Sequence, residues 1–185
     1  MIEPAVARRI KLVGFDVDGT MTDGGLYIGM AGGQPVELKR FDIQDGLGVH
    51  MLRSAGLLVA IVTGRAGDAA RLRAEELEVD EFSADAAARK LPAFEGILQR
   101  RQVRWEEACF LGDDLPDLPL LRRVALPIAV ANACREVKEA ARLTTAASGG
   151  RGAVREAAEA LLVARGAWTD LIRGYLRERG DATAR

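Results

Sequence analysis

Short apolar runs alternate with stretches of helical periodicity along most of the chain. Residues 11–17, 57–62, 108–111 and 127–130 are near-continuous apolar runs of strand length. Residues 68–77, 90–101 and 135–141 carry helix-forming residues with apolar positions three and four apart. Runs with no polar alternation belong to strands buried on both faces. The pattern therefore predicts an α/β fold with a Rossmann-like parallel sheet covered by helices on either side. In such sheets ligands bind beyond the carboxyl ends of the strands, and the polar clusters of this chain fall at those ends.

One segment breaks the rhythm. Residues 24–41 hold Gly29, Gly32 and Gly33 between Leu26-Tyr27-Ile28 and Val36-Glu37-Leu38-Lys39, which predicts a β-hairpin inserted after the first strand. It is too short to be a separate cap domain. Residues 152–165 and 167–179 read as two helices parted by Gly166, and residues 181–185 as a disordered tail. Residues 1–180 are expected to form one domain of ordinary size.

Composition narrows the classes. The chain is 49% hydrophobic and 29% charged, the balance of a soluble globular protein. Its 26 basic and 27 acidic residues leave a net charge of −1, which argues against broad nucleic-acid binding. No run approaches the ~20 apolar residues of a membrane span, and no basic start is followed by an apolar stretch, so a cytoplasmic protein without a signal peptide is expected. Cys109 lies in an apolar run and Cys134 opens a helical stretch, a pattern of two reduced thiols rather than a metal pair.

The chemistry gathers at two strand ends. Phe15-Asp16-Val17-Asp18-Gly19-Thr20 places two carboxylates just past the first buried run, and Gly112-Asp113-Asp114-Leu115-Pro116-Asp117 follows the third. Charge is costly to bury. Several carboxylates at one sheet edge repel each other unless a cation holds them, and an oxygen-rich set suits Mg²⁺. Asp117 fits a helix N-cap, but capping does not account for acidic clusters at two strand ends. Thr63 follows the second run and precedes Gly64, where a hydroxyl and amides can meet phosphate oxygens. Lys90 begins a helix, where an ammonium can offset phosphate charge. Singly, such a Thr or Lys is an ordinary structural residue; in this order, with the carboxylates, they complete one phosphate-handling site.

The order DVDGT, Thr in TGR, Lys, GDDLPD resembles the haloacid-dehalogenase (HAD) superfamily of phosphatases. ELKRFDIQDGLG, AVANACREVKEAARLTT and SGGRGAVREAAEALLVARG are similar to its small capless subgroup, the 3-deoxy-D-manno-octulosonate 8-phosphate phosphatase family. The resemblance implies hydrolysis of that acid-sugar phosphate, in lipopolysaccharide biosynthesis, with Asp16 as nucleophile and Asp18 as general acid and base. It implies Mg²⁺ held by Asp16, the Asp18 carbonyl and Asp113, with Asp114 supporting the metal's water shell or Lys90. Thr63, Gly64 and Lys90 are then expected on the transferring group.

Substrate contacts are expected from Asp18, Asp42, Gln44, Asp45, Gly46, Arg65 and Arg73. The family also implies a homotetramer whose hairpins close neighbouring sites, with Arg151 reaching an adjacent subunit's substrate. His50, on an otherwise apolar helix, is a packing residue or a further substrate contact. The chain departs from its relatives at Gln44 and His50, where a basic residue is frequent, and at SADAAARK, where a QG-type string commonly precedes the lysine. The alternative substrate is a nine-carbon sialic-type sugar 9-phosphate. A signalling receiver domain shares the acidic cluster, Thr and Lys, but its phosphoacceptor ends a middle strand. A catalytically silent relative would have lost a carboxylate or the lysine.

Overall fold

The structure, a computed structural model, describes residues 1–183. It begins with α1 (Pro4–Arg9) and β1 (Leu12–Phe15), followed by a hairpin of β2 (Tyr27–Ala31) and β3 (Gln34–Leu38). Next come α2 (Ile43–Ser54), β4 (Leu58–Thr63), α3 (Asp68–Glu76), β5 (Glu81–Ala84) and α4 (Lys90–Arg101). The remainder is β6 (Ala108–Gly112), α5 (Leu118–Leu121), β7 (Leu126–Ala129), α6 (Arg135–Ala140), β8 (Leu143–Thr144), α7 (Ala153–Arg165) and α8 (Trp168–Glu178). Of the expected tail, residues 184–185 lie outside the described residues; in the rest, the Thr183 amide donates to Asp181.

Six strands form one parallel sheet in the order β5-β4-β1-β6-β7-β8. The apolar runs behave as their pattern predicts: β1 and β6 are buried at every position. One face packs Val13 and Phe15 against α1, α2, α3 and α7, and the other packs Leu12 and Val62 against α4, α5 and α6. The hairpin stands apart as its own two-stranded sheet. Four elements lie beyond the sequence pattern. The edge strand β5, Glu-Phe-Ser-Ala, is half-buried and has no apolar run, while α1, α5 and β8 are too short to show a period.

Helix α2 is anchored at its start. The Asp42 side chain accepts the Gln44 amide at 2.8 Å as N-cap. Asp45, in the first turn, is buried, and its Oδ1 accepts the Arg155 amide at 2.8 Å, joining α2 to the start of α7. Burial pushes the Asp45 carboxyl up to about 6, against the opposing pull of the Arg155 amide. Its pKa is thus higher folded than unfolded, so the folded state binds the extra proton. The associated stability is complete below pH ~4 and is lost as pH rises through about 6, on the order of 2–3 kcal/mol. Asp45→Asn keeps the acceptor and removes the charge. Its melting temperature is expected to exceed that of the unsubstituted protein at pH 8, with the gap closing toward pH 4–5. A gap that stays constant across thermal melts at those pH values would count against a buried charge here.

Candidate active site

β1 delivers Asp16 and β6 delivers Asp113 at adjacent carboxyl ends. The pairing Phe15↔Leu111 and the Asp16 amide donating to the Leu111 carbonyl at 3.0 Å fix that register. The strand order changes direction between β1 and β6, the switch point where α/β sheets open a crevice. Past Asp16 the chain turns tightly through Val17–Met21, with Gly19 at φ +89°. A side chain is excluded there twice over: by that φ, and because a Cβ would lie 2.1 Å from Asp113 Oδ2. Thr20 Oγ1 donates to Asp113 Oδ1 at 3.1 Å.

The loop after α6 and β8 braces this turn. A Cβ on Gly149 would lie 1.9 Å from the Gly19 carbonyl oxygen, so only glycine permits the approach. Asn132, after β7, donates to the Gly19 carbonyl at 2.8 Å and accepts the Gly149 amide at 2.6 Å. The GGRG string thus serves as a buttress for the acidic turn.

Lys90, the first residue of α4, is buried, and its Nζ lies 2.5 Å from Asp16 Oδ1 and 2.7 Å from Asp117 Oδ1. Two expectations need correction here. Asp117 does not cap α5 with its side chain: it is fully buried, pairs with Lys90, and accepts the Asp113 amide at 3.0 Å. Of the two roles expected for Asp114, support of Lys90 falls away: Asp114 is exposed, accepts the Leu115 amide at 2.8 Å and lines the cavity, where the role toward a metal's water shell stays open. Asp117 has the better reach because it sits one helical turn beyond Asp113, where its carboxylate points back under β6.

Carboxylate oxygens of Asp16, Asp113 and Asp117 lie within 4.8 Å of one another. Burial raises the Asp16 carboxyl well above its usual range, with Asp117 and then Asp113 adding to the push and Lys90 opposing it. Asp113 rises to about 6, by burial first and then by Asp117. Burial pulls the Lys90 ammonium down, but Asp16 and Asp117 outweigh it and leave it raised. One ammonium against two buried carboxylates and a third half-buried leaves excess negative charge. An all-oxygen donor set in that state fits a hard divalent cation.

These residues line a cavity of about 210 Å³ together with Asp18, Gly64 and Arg65. A chain of alternating charge joins two of its lining residues, Asp18 and Arg65. Asp18 Oδ1 meets Lys39 Nζ at 2.6 Å, Lys39 meets Glu37 at 3.5 Å, and Glu37 Oε2 meets Arg65 Nη2 at 2.6 Å. The hairpin thus clips onto both the acidic turn and the loop after β4. Lys39, Glu37, Thr20 and Asn132 carry no sequence signal for these roles, since Asp18, Arg65, Asp113 and the Gly19 carbonyl, which they meet, lie 21 to 113 residues away in the chain.

The other expected contacts divide. Thr63 ends β4, buried behind the cavity, with its Oγ1 accepting the Arg65 amide at 3.2 Å. Asp42, Gln44, Asp45, Gly46, His50, Arg73 and Arg151 do not line the cavity within one chain. Arg73 bridges Glu76 at 2.7 Å and the Asp42 carbonyl at 3.1 Å, passing over Gly46. His50 is exposed and meets Tyr175 of α8 edge-on, with ring centroids 6.0 Å apart. Arg151 is exposed in the buttressing loop. Cys109 is buried and Cys134 half-buried, both as free thiols. Among the described residues no helix is long and apolar enough to cross a membrane.

The haloacid dehalogenase-like hydrolase family matches residues 84–156. The chain is 37% identical over 162 residues to the 3-deoxy-D-manno-octulosonate 8-phosphate phosphatase KdsC of Escherichia coli K12, covering 88% of this chain and 84% of the relative. It is similar to the crystal structure of that phosphatase from Moraxella catarrhalis, in complex with magnesium ion, phosphate ion and KDO. That likeness has a TM-score of 0.87 and 33% identity, over 93% of this chain and 97% of the other. The cobalt-bound phosphatase of Haemophilus influenzae gives a TM-score of 0.84 at 33% identity, over 92% and 99% of the two chains. The chain belongs to the 3-deoxy-D-manno-octulosonate 8-phosphate phosphatase family of haloacid dehalogenase-like hydrolases.

Proposed function

We propose that this protein hydrolyses 3-deoxy-D-manno-octulosonate 8-phosphate to the free sugar acid and phosphate in a Mg²⁺-dependent reaction through an aspartyl-phosphate. The observation that carries this reading is the buried Asp16–Lys90–Asp117 cluster with Asp113 beside it, opening onto the cavity lined by Asp18. Asp16, the Asp18 carbonyl and Asp113 are the residues that would hold Mg²⁺. Bound there, the ion neutralises charge on the transferring phosphoryl group.

The protein's own groups supply the rest. An Asp16 carboxylate oxygen attacks phosphorus as the bond from phosphorus to the sugar oxygen breaks. Asp18 gives its proton to that departing oxygen. It then takes one from the water that attacks phosphorus and releases Asp16. The Lys90 ammonium, with Thr63 and the Gly64 amide, steadies the phosphoryl oxygens. Water must be excluded from such a site. The hairpin, which exposes Ile28 and Met30 and lacks a covering layer, supports a homotetramer in which each hairpin closes a neighbour's cavity.

Catalytic phosphate release from the octulosonate 8-phosphate, measured with Mg²⁺ and after chelation, tests the reading. Many turnovers with the ion and near-background release without it are expected. Release limited to one phosphate per chain, or indifferent to chelation, would exclude it. A nine-carbon acid-sugar 9-phosphate run beside it separates the two substrates.

A further inference from the structure

We propose that Glu37 is a specificity-determining residue, whose carboxylate occupies on Arg65 the place that the carboxylate of an acid-sugar substrate takes. This rests on the reading of the cavity as an acid-sugar phosphate site. Arg65 lines the cavity, yet its Nη2 already donates to Glu37 Oε2 at 2.6 Å. A guanidinium fork matches any carboxylate, whether on a side chain or on a sugar acid. The pair is open to exchange, since the Arg65 side chain is 47% and that of Glu37 31% exposed. Ion pairs so exposed are weak. The bond to Arg65 holds the Glu37 carboxyl below its usual range, so a charged competitor is present at neutral pH.

The residue just past the same strand carries a link of the opposite character. The Lys39 side chain has no exposed surface and meets Asp18 at 2.6 Å. Glu37 can therefore leave Arg65 while Lys39 keeps β3 fixed to the acidic turn. Glu37 then acts as a resident stand-in. A phosphate ester without a carboxylate leaves the Glu37–Arg65 pair closed, and an acid sugar replaces Glu37 on the guanidinium.

Glu37→Gln keeps the shape and removes the charge. The test compares kcat/KM for octulosonate 8-phosphate with that for glucose 6-phosphate, in the unsubstituted protein, Glu37→Gln, Arg65→Gln and the double variant. The ratio of acid to neutral substrate is expected to rise about three- to fivefold in Glu37→Gln, the scale of an exposed ion pair, and not to move when Arg65→Gln is already present. A general loss of negative charge favours the more highly charged acid whether or not Arg65 is present, so the same rise in the Arg65→Gln background overturns the proposal, as does an unmoved or a falling ratio. An unsubstituted protein that shows no preference for the acid overturns the functional reading and this proposal together. One that prefers the acid, with a ratio unmoved by Glu37→Gln, overturns this proposal alone.

Discussion

Asp16→Asn is expected to lower phosphate release by about ten-thousand-fold or more, as loss of the nucleophile does in other covalent catalysts, while the fold keeps its stability. The amide has the shape of the carboxylate but cannot attack phosphorus. The stability half of the expectation comes from the crowd around it. Asp16 is buried, and its carboxyl is pushed up by burial and by Asp117 and Asp113. An uncharged side chain relieves that repulsion, and Lys90 retains Asp117 at 2.7 Å. In the absence of divalent ions, thermal melts of the variant should match or exceed those of the unsubstituted protein. Loss of activity together with a lower melting temperature would assign the effect to folding. Retained turnover would remove the covalent route altogether.

The sheet and its reactive edge were legible because their signals are local. An apolar run that ends in an acidic pair marks a strand and its functional end at once, and 11–17 with Asp16 and Asp18 did both. Lys90 as the first helical residue was readable from the periodicity of α4. What escaped was set by pairings across distance. Asp117 reads as a cap in sequence, because its partner Lys90 lies 27 residues away and meets it only once α4 crosses the end of β6. Lys39 and Glu37 look like the solvated edge of a hairpin until β3 folds back onto Asp18 and Arg65. Asn132 lies in a loop where neither period nor turn chemistry marks it, yet its amide joins Gly19 to Gly149. Arg73, matched by resemblance as a substrate contact, is engaged within its own chain by Glu76, the Asp42 carbonyl and the Phe41 ring, partners that its place on α3 does not announce.

Lys90→Met is expected to damage both stability and turnover, which sets it apart from Asp16→Asn. The ammonium is buried between Asp16 and Asp117 at 2.5 and 2.7 Å, and no other cation pairs with either carboxylate among the described residues. Removing one side of a buried pair leaves the other desolvated without compensation, a loss of about 3–5 kcal/mol. Turnover is expected to fall about a hundred- to a thousand-fold, the usual effect of deleting one charge-stabilising donor. The deficit must also depend on pH, with a sign fixed by the carboxylates. Asp16 and Asp113 have folded pKa values raised above their unfolded ones, Asp113 to about 6. Their stabilising proton uptake is present at low pH and is lost as pH rises through the folded values. With Lys90 gone, no ammonium opposes that rise and only hydrogen bonds such as that from Thr20 to Asp113 remain against it, so the deficit should be largest near pH 8 and shrink toward pH 5. Added Mg²⁺ should recover part of it, because a cation bound only by the folded state stabilises by mass action. Urea midpoints for both proteins at pH 5 and pH 8, with and without Mg²⁺, check every arm. A Lys90→Met protein as stable at pH 8 as the unsubstituted one would show that the three carboxylates do not share ionised charge. The electrostatic case for a cation at this sheet edge would then fail with it.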